Sequence, residues 1–218
     1  MSSYSTAPPR PVVRIAAVVS NGCNPDPRVL REAKWLVEDG HDVTIHAFDR
    51  SENLLPEQMI NGINIVRHRV GITPYGNYLR TLLGLHKFRK KVAKEIQGYD
   101  VLHCHDADTL SLANNFSGTT VFDMHDLHHS WVMMGNPSSS LRKIAAWRMK
   151  KTMLRNAKKA TIVITSSQGF TDWLLGHGIH STPIENRPKN QGKIKDNNIF
   201  TVGYFGRIRE PESFDLLF

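Results

Sequence analysis

Residues 100–129, DVLHCHDADTLSLANNFSGTTVFDMHDLHH, constrain the fold more than any other part of the chain. Two apolar runs about 20 residues apart each close on His and Asp, and a helix-length segment separates them. That order predicts strand, loop, helix, strand, loop. A βαβ unit of this kind implies a parallel sheet buried on both faces. Ligands of such sheets bind outside the carboxyl ends of the strands, where His105, Asp106, His125 and Asp126 fall. This is the candidate active site.

The chain opens with the same grammar. Residues 12–19 (VVRIAAVV) read as a strand and residues 20–26 (SNGCNPD) as the loop after it. Asp26 can cap the free N–H groups of a helix, and Pro27 is tolerated at its first position. Val29, Leu30, Ala33, Leu36 and Val37 recur at helical spacing and are expected to face the sheet. Asp39 and Gly40 end that helix, and residues 41–48 form the second strand. The first loop holds only Gly22, so the dinucleotide pattern G-x-G-x-x-G is absent, as is a P-loop.

Residues 49–62 are polar and turn-rich, and residues 63–70 give a third strand. Two strongly basic helices are expected, at 78–97 and 141–159. The first carries six Lys or Arg against Glu95, the second eight and no acid, together 14 of the chain's 28. Leu82, Leu83, Leu85, Phe88 and Val92 make an apolar stripe on the first; Ile144, Ala145, Trp147, Met149 and Met153 make a looser one on the second. Their basic faces fit either the solvated outside of sheet-covering helices or attachment to an anionic membrane surface. Nucleic acid is disfavoured, because the basic segments lack interleaved aromatics and known nucleic-acid motifs. A strand at 160–165, a helix capped by Ser166 or Ser167 and running to Leu175, and a short strand at 182–186 complete the first domain.

The expected organisation is a flexible N-terminus at 1–11, a Rossmann-like domain at 12–189, a polar Lys-rich linker at 190–198 and the start of a second α/β unit at 199–218. The net charge of +8 suits an anionic partner. Cys23 and Cys104 form no framework and match no zinc spacing, which points to reduced thiols in the cytoplasm. The N-terminus lacks the apolar core of a signal peptide, and no apolar run is long enough to span a bilayer.

These residues resemble a known family. RVLREA at 28–33 followed by GHDV at 40–43, DVLHCH at 100–105, DMHD at 123–126, ITSS at 164–167, IENRP at 184–188 and VGYFGR at 202–207 are similar, in that order, to the N-terminal half of the family 4 retaining glycosyltransferases of GT-B fold. The resemblance covers residues 12–218. It implies a metal-independent, retaining hexosyl transfer from a nucleotide-sugar donor to a lipid-linked or polysaccharide acceptor. No cofactor is implied beyond the nucleotide sugar itself.

On that resemblance, the N-terminal domain holds the acceptor, and the enzyme is cytoplasmic or peripheral on the inner face of the membrane. His125 contacts the transferred sugar, hydrogen-bonding a hydroxyl or assisting proton transfer. His105, Asp106 and Asp126 line the cleft. Gly22 and Asn24 lie against phosphate through backbone N–H groups. Arg207 holds the donor diphosphate and stabilises the leaving group. The family usually has Lys and then Gly a few residues after that arginine; the positions here are Glu212 and Ser213, and a carboxylate beside a diphosphate repels it. The family's paired acidic motif lies farther along than Phe218. The chain is therefore expected not to transfer sugar alone.

Two rival functions follow from the same residues. A non-catalytic acceptor- or membrane-binding subunit could pair with a separate donor domain. A metal-dependent hydrolase could use His103 and His105, which alternate onto one strand face, with Asp106, Asp108, Asp123, His125, Asp126, His128 and His129. Their spacing matches no common metal motif. Ser166 and Ser167 lack a nucleophile elbow and are better explained as helix caps, and Trp131, Trp147 and Trp173 as packing or rim residues.

Overall fold

In the computed structural model, residues 11–74, 78–134 and 136–185 are described. The strands are β1 (Arg14–Val19), β2 (Asp42–Phe48), β3 (Glu57–Ile60), β4 (Ile63–His68), β5 (Val101–His105), β6 (Thr119–Met124), β7 (Ile162–Thr165) and β8 (Thr182–Pro183). Among the described residues they form one sheet in the order β3-β4-β2-β1-β5-β6-β7-β8. All neighbours are parallel except β3 and β4. The expected α/β architecture, a parallel sheet with helices on both faces, is the one found. From β1 the chain leaves to one side, and after β4 it crosses to β5 on the other. That reversal opens a crevice at the carboxyl ends of β1 and β5.

Helix α1 (Pro27–Glu38) starts as its sequence predicts: Asp26 accepts from the Val29 N–H, and Pro27 takes the first turn. Val29 and Ala33 bury against Ile15, Ala17, Val43 and Ile45 on one face of the sheet, with Leu30, Leu36 and Val37 beside them. On the opposite face α2 (Tyr78–Glu95), α4 (Ser140–Ala157) and α5 (Gln168–Leu175) cover Ala16, Val18, Leu102, Cys104, Phe122 and Met124. A short helix α3 (His128–Trp131) precedes α4. Of the two serines offered as the cap of α5, Ser167 takes the role, accepting from Phe170 N.

Three expectations need correction. Residues 49–62 are not all turn: β3 pairs with β4 through Asn61 and Gly62, both at positive φ (50° and 80°). Asn-Gly is the two-residue hairpin signal, since both positions tolerate left-handed backbone. The segment joining β5 to β6 is a 3-10 helix (Leu110–Asn115), too short for an α-helical crossover. The buried stripes are also displaced. On α2, Leu85, Phe88 and Val92 are buried, but Leu82 and Leu83 are exposed; on α4, Ala146, Met153 and Ala157 are buried, while Ile144 and Trp147 are exposed.

Both cysteines are free and buried. Burial pushes the Cys23 thiol up to about 11 and that of Cys104 to about 12, so neither is a nucleophile at neutral pH. No helix among the described residues is long and apolar enough to cross a membrane. The chain divides into units at residues 1–186 and 187–218. The linker at 190–198, the strand expected after it, Arg207, Glu212 and Ser213 lie outside the described residues.

Candidate active site

Two constellations meet at the carboxyl ends of β5 and β6, one on each side of the sheet. The first is a cleft of about 660 Å³ between α2 and α4. Its floor is laid by the loops after the strands, through Ala107, Asp108, Asp126 and His128. Its walls are largely apolar (Leu82, Leu85, Trp131, Val132, Met149 and Met153), and three arginines, Arg50, Arg89 and Arg148, face into it. A pocket that is mostly apolar with a few convergent charges is the usual form of a small-molecule site.

The floor is fixed by short polar contacts. Ser20 Oγ, just past β1, donates to Asp108 Oδ2 at 3.2 Å, bridging the crevice between β1 and β5. Arg89 Nη1 donates to the Asp108 carbonyl, and Arg50 Nε to the Ser20 carbonyl. His128 lies between Asp108 and Asp106, with Nδ1 3.5 Å from Asp108 Oδ1 and Nε2 3.8 Å from Asp106 Oδ2. Burial alone would lower the His128 pKa, but the bond to Asp108 and the charges of Asp108, Asp106 and Asp126 outweigh it and raise the pKa. Asp106 sits at φ 63°, a left-handed position for a non-glycine residue. Its Oδ1 accepts from His125 N at 3.1 Å, so it ties the two strand ends together.

The second constellation is buried under α1. Because residues alternate along a strand, His103 and His105 of β5 share a face with Asp123 of β6 and with His125. His125 Nε2 is 2.7 Å, His105 Nδ1 3.2 Å and His103 Nε2 3.8 Å from Asp123 Oδ2. Glu32 of α1 reaches down to 3.9 Å from His103 Nε2. Burial opposes ionisation of Asp123, but the three imidazoles crowding its carboxylate outweigh burial and hold the carboxyl well below the usual range. Burial, and next the charge of Asp123, push Glu32 the other way. Burial pushes His105 down to about 4, so that ring is neutral at pH 7.

The expected site residues therefore divide. Asp126 lines the cleft. His105 and His125 are buried in the cluster under α1, and Asp106 joins the two groups. Gly22 and Asn24 follow β1. Gly22 lies so near Leu54 that a Cβ would stand 2.5 Å from its Cδ1. The carbonyls of Gly22 and Cys23 accept from the buried Arg67 guanidinium, which clamps the loop. Arg50, Arg89 and Arg148 were not anticipated, because residues from three separate elements carry no common spacing. His128 and Asp108 carry a sequence signal, because the His-Asp pattern recurs at both strand ends.

No curated protein sequence matches the chain. Among solved structures, sucrose-phosphate synthase from Thermosynechococcus elongatus superposes with a TM-score of 0.61 at 16% identity, covering 79% of this chain and 48% of that one. The catalytic domain of starch synthase IV from Arabidopsis thaliana, bound to ADP and acarbose, gives 0.52 at 14% identity, covering 81% and 52%. Glycyrrhiza uralensis UGT73P12, complexed with glycyrrhetinic acid 3-O-monoglucuronide, gives 0.51 at 11% identity, covering 82% and 49%. The chain thus spans about half the length of these structures, and at such identities the likeness is one of fold. The sequence itself matches the family description Glycosyltransferase Family 4 over residues 28–186, and the chain belongs to that family.

Proposed function

We propose that this domain binds the acceptor in a retaining glycosyltransferase, which moves a hexosyl group from a nucleotide-sugar donor to a lipid-linked or polysaccharide acceptor without a catalytic metal. The observation that carries the proposal is the cleft at the ends of β5 and β6, in which three arginines face apolar walls. Guanidinium groups suit phosphate oxygens, and apolar walls suit a hydrocarbon chain, so the lining favours a lipid-linked, phosphate-bearing acceptor over a bare polysaccharide. His125 is the catalytic residue of this reading. Its backbone is pinned by Asp106, and its Nδ1 is buried with no hydrogen-bond partner among the described residues. His105 braces it, Asp126 faces the acceptor, and backbone N–H groups at Gly22 and Asn24 meet phosphate. Arg207 holds the donor diphosphate. Starch synthase IV, of similar fold, is bound to ADP, in keeping with a nucleotide-linked donor.

The cleft mouth adds the membrane to this proposal. Leu82 and Trp131 line it, and on the same helical segments and the start of α4 the large side chains Leu79, Leu83, Leu141, Ile144 and Trp147 are exposed. Arg142, Lys143 and Lys151 are exposed among them. Apolar side chains within a basic field favour docking on an anionic leaflet, and they equally favour an acceptor-binding subunit that pairs with a separate donor domain.

Binding of a polyprenyl-diphosphate saccharide, measured against the same saccharide without the lipid diphosphate, tests the proposal. Tight binding of the first alone is expected, weakened about tenfold or more by Arg148→Glu, as for loss of a charge-assisted bond. Equal binding of both, or indifference to Arg148→Glu, overturns it. Transfer from a nucleotide sugar, abolished by His125→Ala and not accelerated by added Mg2+ or Mn2+, supports catalysis. Acceptor binding without transfer supports the subunit.

A further inference from the structure

We infer that the cluster beneath α1 is a buried binding site for a divalent transition metal of the zinc class, formed by Glu32, His103, His105 and Asp123. One ligand atom from each of these four residues falls within 4.8 Å of the others. A tetrahedral ion with bonds of about 2.0–2.2 Å needs its ligands roughly 3.4 Å apart. The separations recorded here are 3.2 Å from His105 Nδ1 to Asp123 Oδ2, 3.8 Å from His103 Nε2 to the same oxygen, and 3.9 Å from His103 Nε2 to Glu32 Oε2. The remaining pairs lie within 4.8 Å, so side-chain shifts of at most about an ångström bring the four atoms onto one ion.

The second line of argument is what these atoms lack. Glu32 Oε2 and His103 Nε2 are buried and have no hydrogen-bond partner among the described residues, whereas Asp123 Oδ2 already has His125 Nε2 at 2.7 Å. The His103 and Asp123 side chains retain 8% and 3% of their exposure. Buried polar atoms are almost always hydrogen-bonded, and each exception calls for an explanation. Here two such exceptions, one on a strand and one on a helix, stand 3.9 Å apart beside the Asp123 carboxylate. Two imidazoles and two carboxylates are borderline ligands suited to zinc. The other His-rich groups are weaker candidates. In one, His46 and His68 face Glu95, whose side chain is 38% exposed; the other, Asp106, Asp126 and His128, is only half-buried.

An ion here lies on the sheet face away from the cleft. It braces α1 against β5 and β6, and it stands next to His125 through Asp123 Oδ2, so it fixes that ring without entering the transfer reaction. The site is independent of the glycosyl-transfer proposal, because metal binding is read without donor or acceptor.

The test is titration of the chelator-treated full chain with Co2+, followed by visible absorption and then by displacement with Zn2+. One equivalent of tetrahedral Co2+, displaced by zinc, is expected. Losing a residue that merely supports a ligand costs about 10–100-fold in metal affinity, so His103→Ala and Glu32→Gln are each expected to cost at least about tenfold. If His103→Ala does not fold, Glu32→Gln, which keeps the side-chain shape, decides alone. Absence of a tetrahedral spectrum from the wild type overturns the site, as does an affinity unchanged in the folded variants. The cluster is then a proton-sharing network only.

Discussion

The two faces of β5 and β6 are built from the same ten or so residues and could hardly differ more. Leu102, Cys104, Phe122 and Met124 face α2 and α4 and are at most 1% exposed, in a core where Phe48 also stacks on Phe88 at 4.9 Å. His103, His105 and Asp123 alternate with them and face α1, forming a buried polar cluster. One face is held by area removed from water, the other by charges and imidazoles that must find each other in a low dielectric. A parallel strand buried on both sides can therefore carry a foundation on one face and chemistry on the other. The strand ends, where Asp106 and Asp126 emerge, are where the two meet.

That contrast can be broken experimentally. The largest effect is expected on the apolar face: Phe122→Ala removes a fully buried ring and costs about 3–5 kcal/mol in urea unfolding. Across the strand, Asp123→Asn keeps the shape but removes the charge that three imidazoles surround, at a cost of about 3 kcal/mol. A near-zero change there would mean that packing by α1, not charge, holds the polar face.

A third measurement concerns acid. Burial pushes His46 down to about 4, and burial together with His46 and Lys91 pushes His68 down to about 3. These depressed values mean that the unfolded chain binds protons below about pH 6.5 while the folded rings stay neutral. Stability is then complete above pH 6.5 and falls as the pH drops towards 4, by on the order of 3 kcal/mol for each ring. A melting temperature flat from pH 7 to 4.5 would refute this. The smallest effect belongs to the surface: Leu141→Ser and Ile144→Ser, at 80% and 55% exposure, are expected to change stability by less than about 0.5 kcal/mol. Both are expected to weaken binding to anionic vesicles, and unchanged vesicle binding would remove the membrane from the proposed function.

Much of the fold was legible because it rests on local rules. Period-two alternation with short apolar runs marked the parallel strands, and Asp26-Pro27 marked the start of α1. The hairpin through Asn61 and Gly62 was legible too, but the polar composition of residues 49–62 hid it. The faces of α2 and α4 were harder. Each helix carries more apolar residues than it buries, and which stripe turns inward depends on where neighbouring helices leave room.

The candidate site divides in the same way. That His105, Asp106, His125 and Asp126 lie at strand ends follows from sequence alone, because strand length and the parallel topology put them there. That His105 and His125 turn under α1 while Asp126 opens on the cleft is a matter of tertiary structure. So are the convergence of Arg50, Arg89 and Arg148, and the approach of Glu32 to His103. Local sequence determines which way a side chain points from its own strand or helix. Only the packing of distant elements decides what stands opposite it, and that partner sets its charge, its burial and its chemistry.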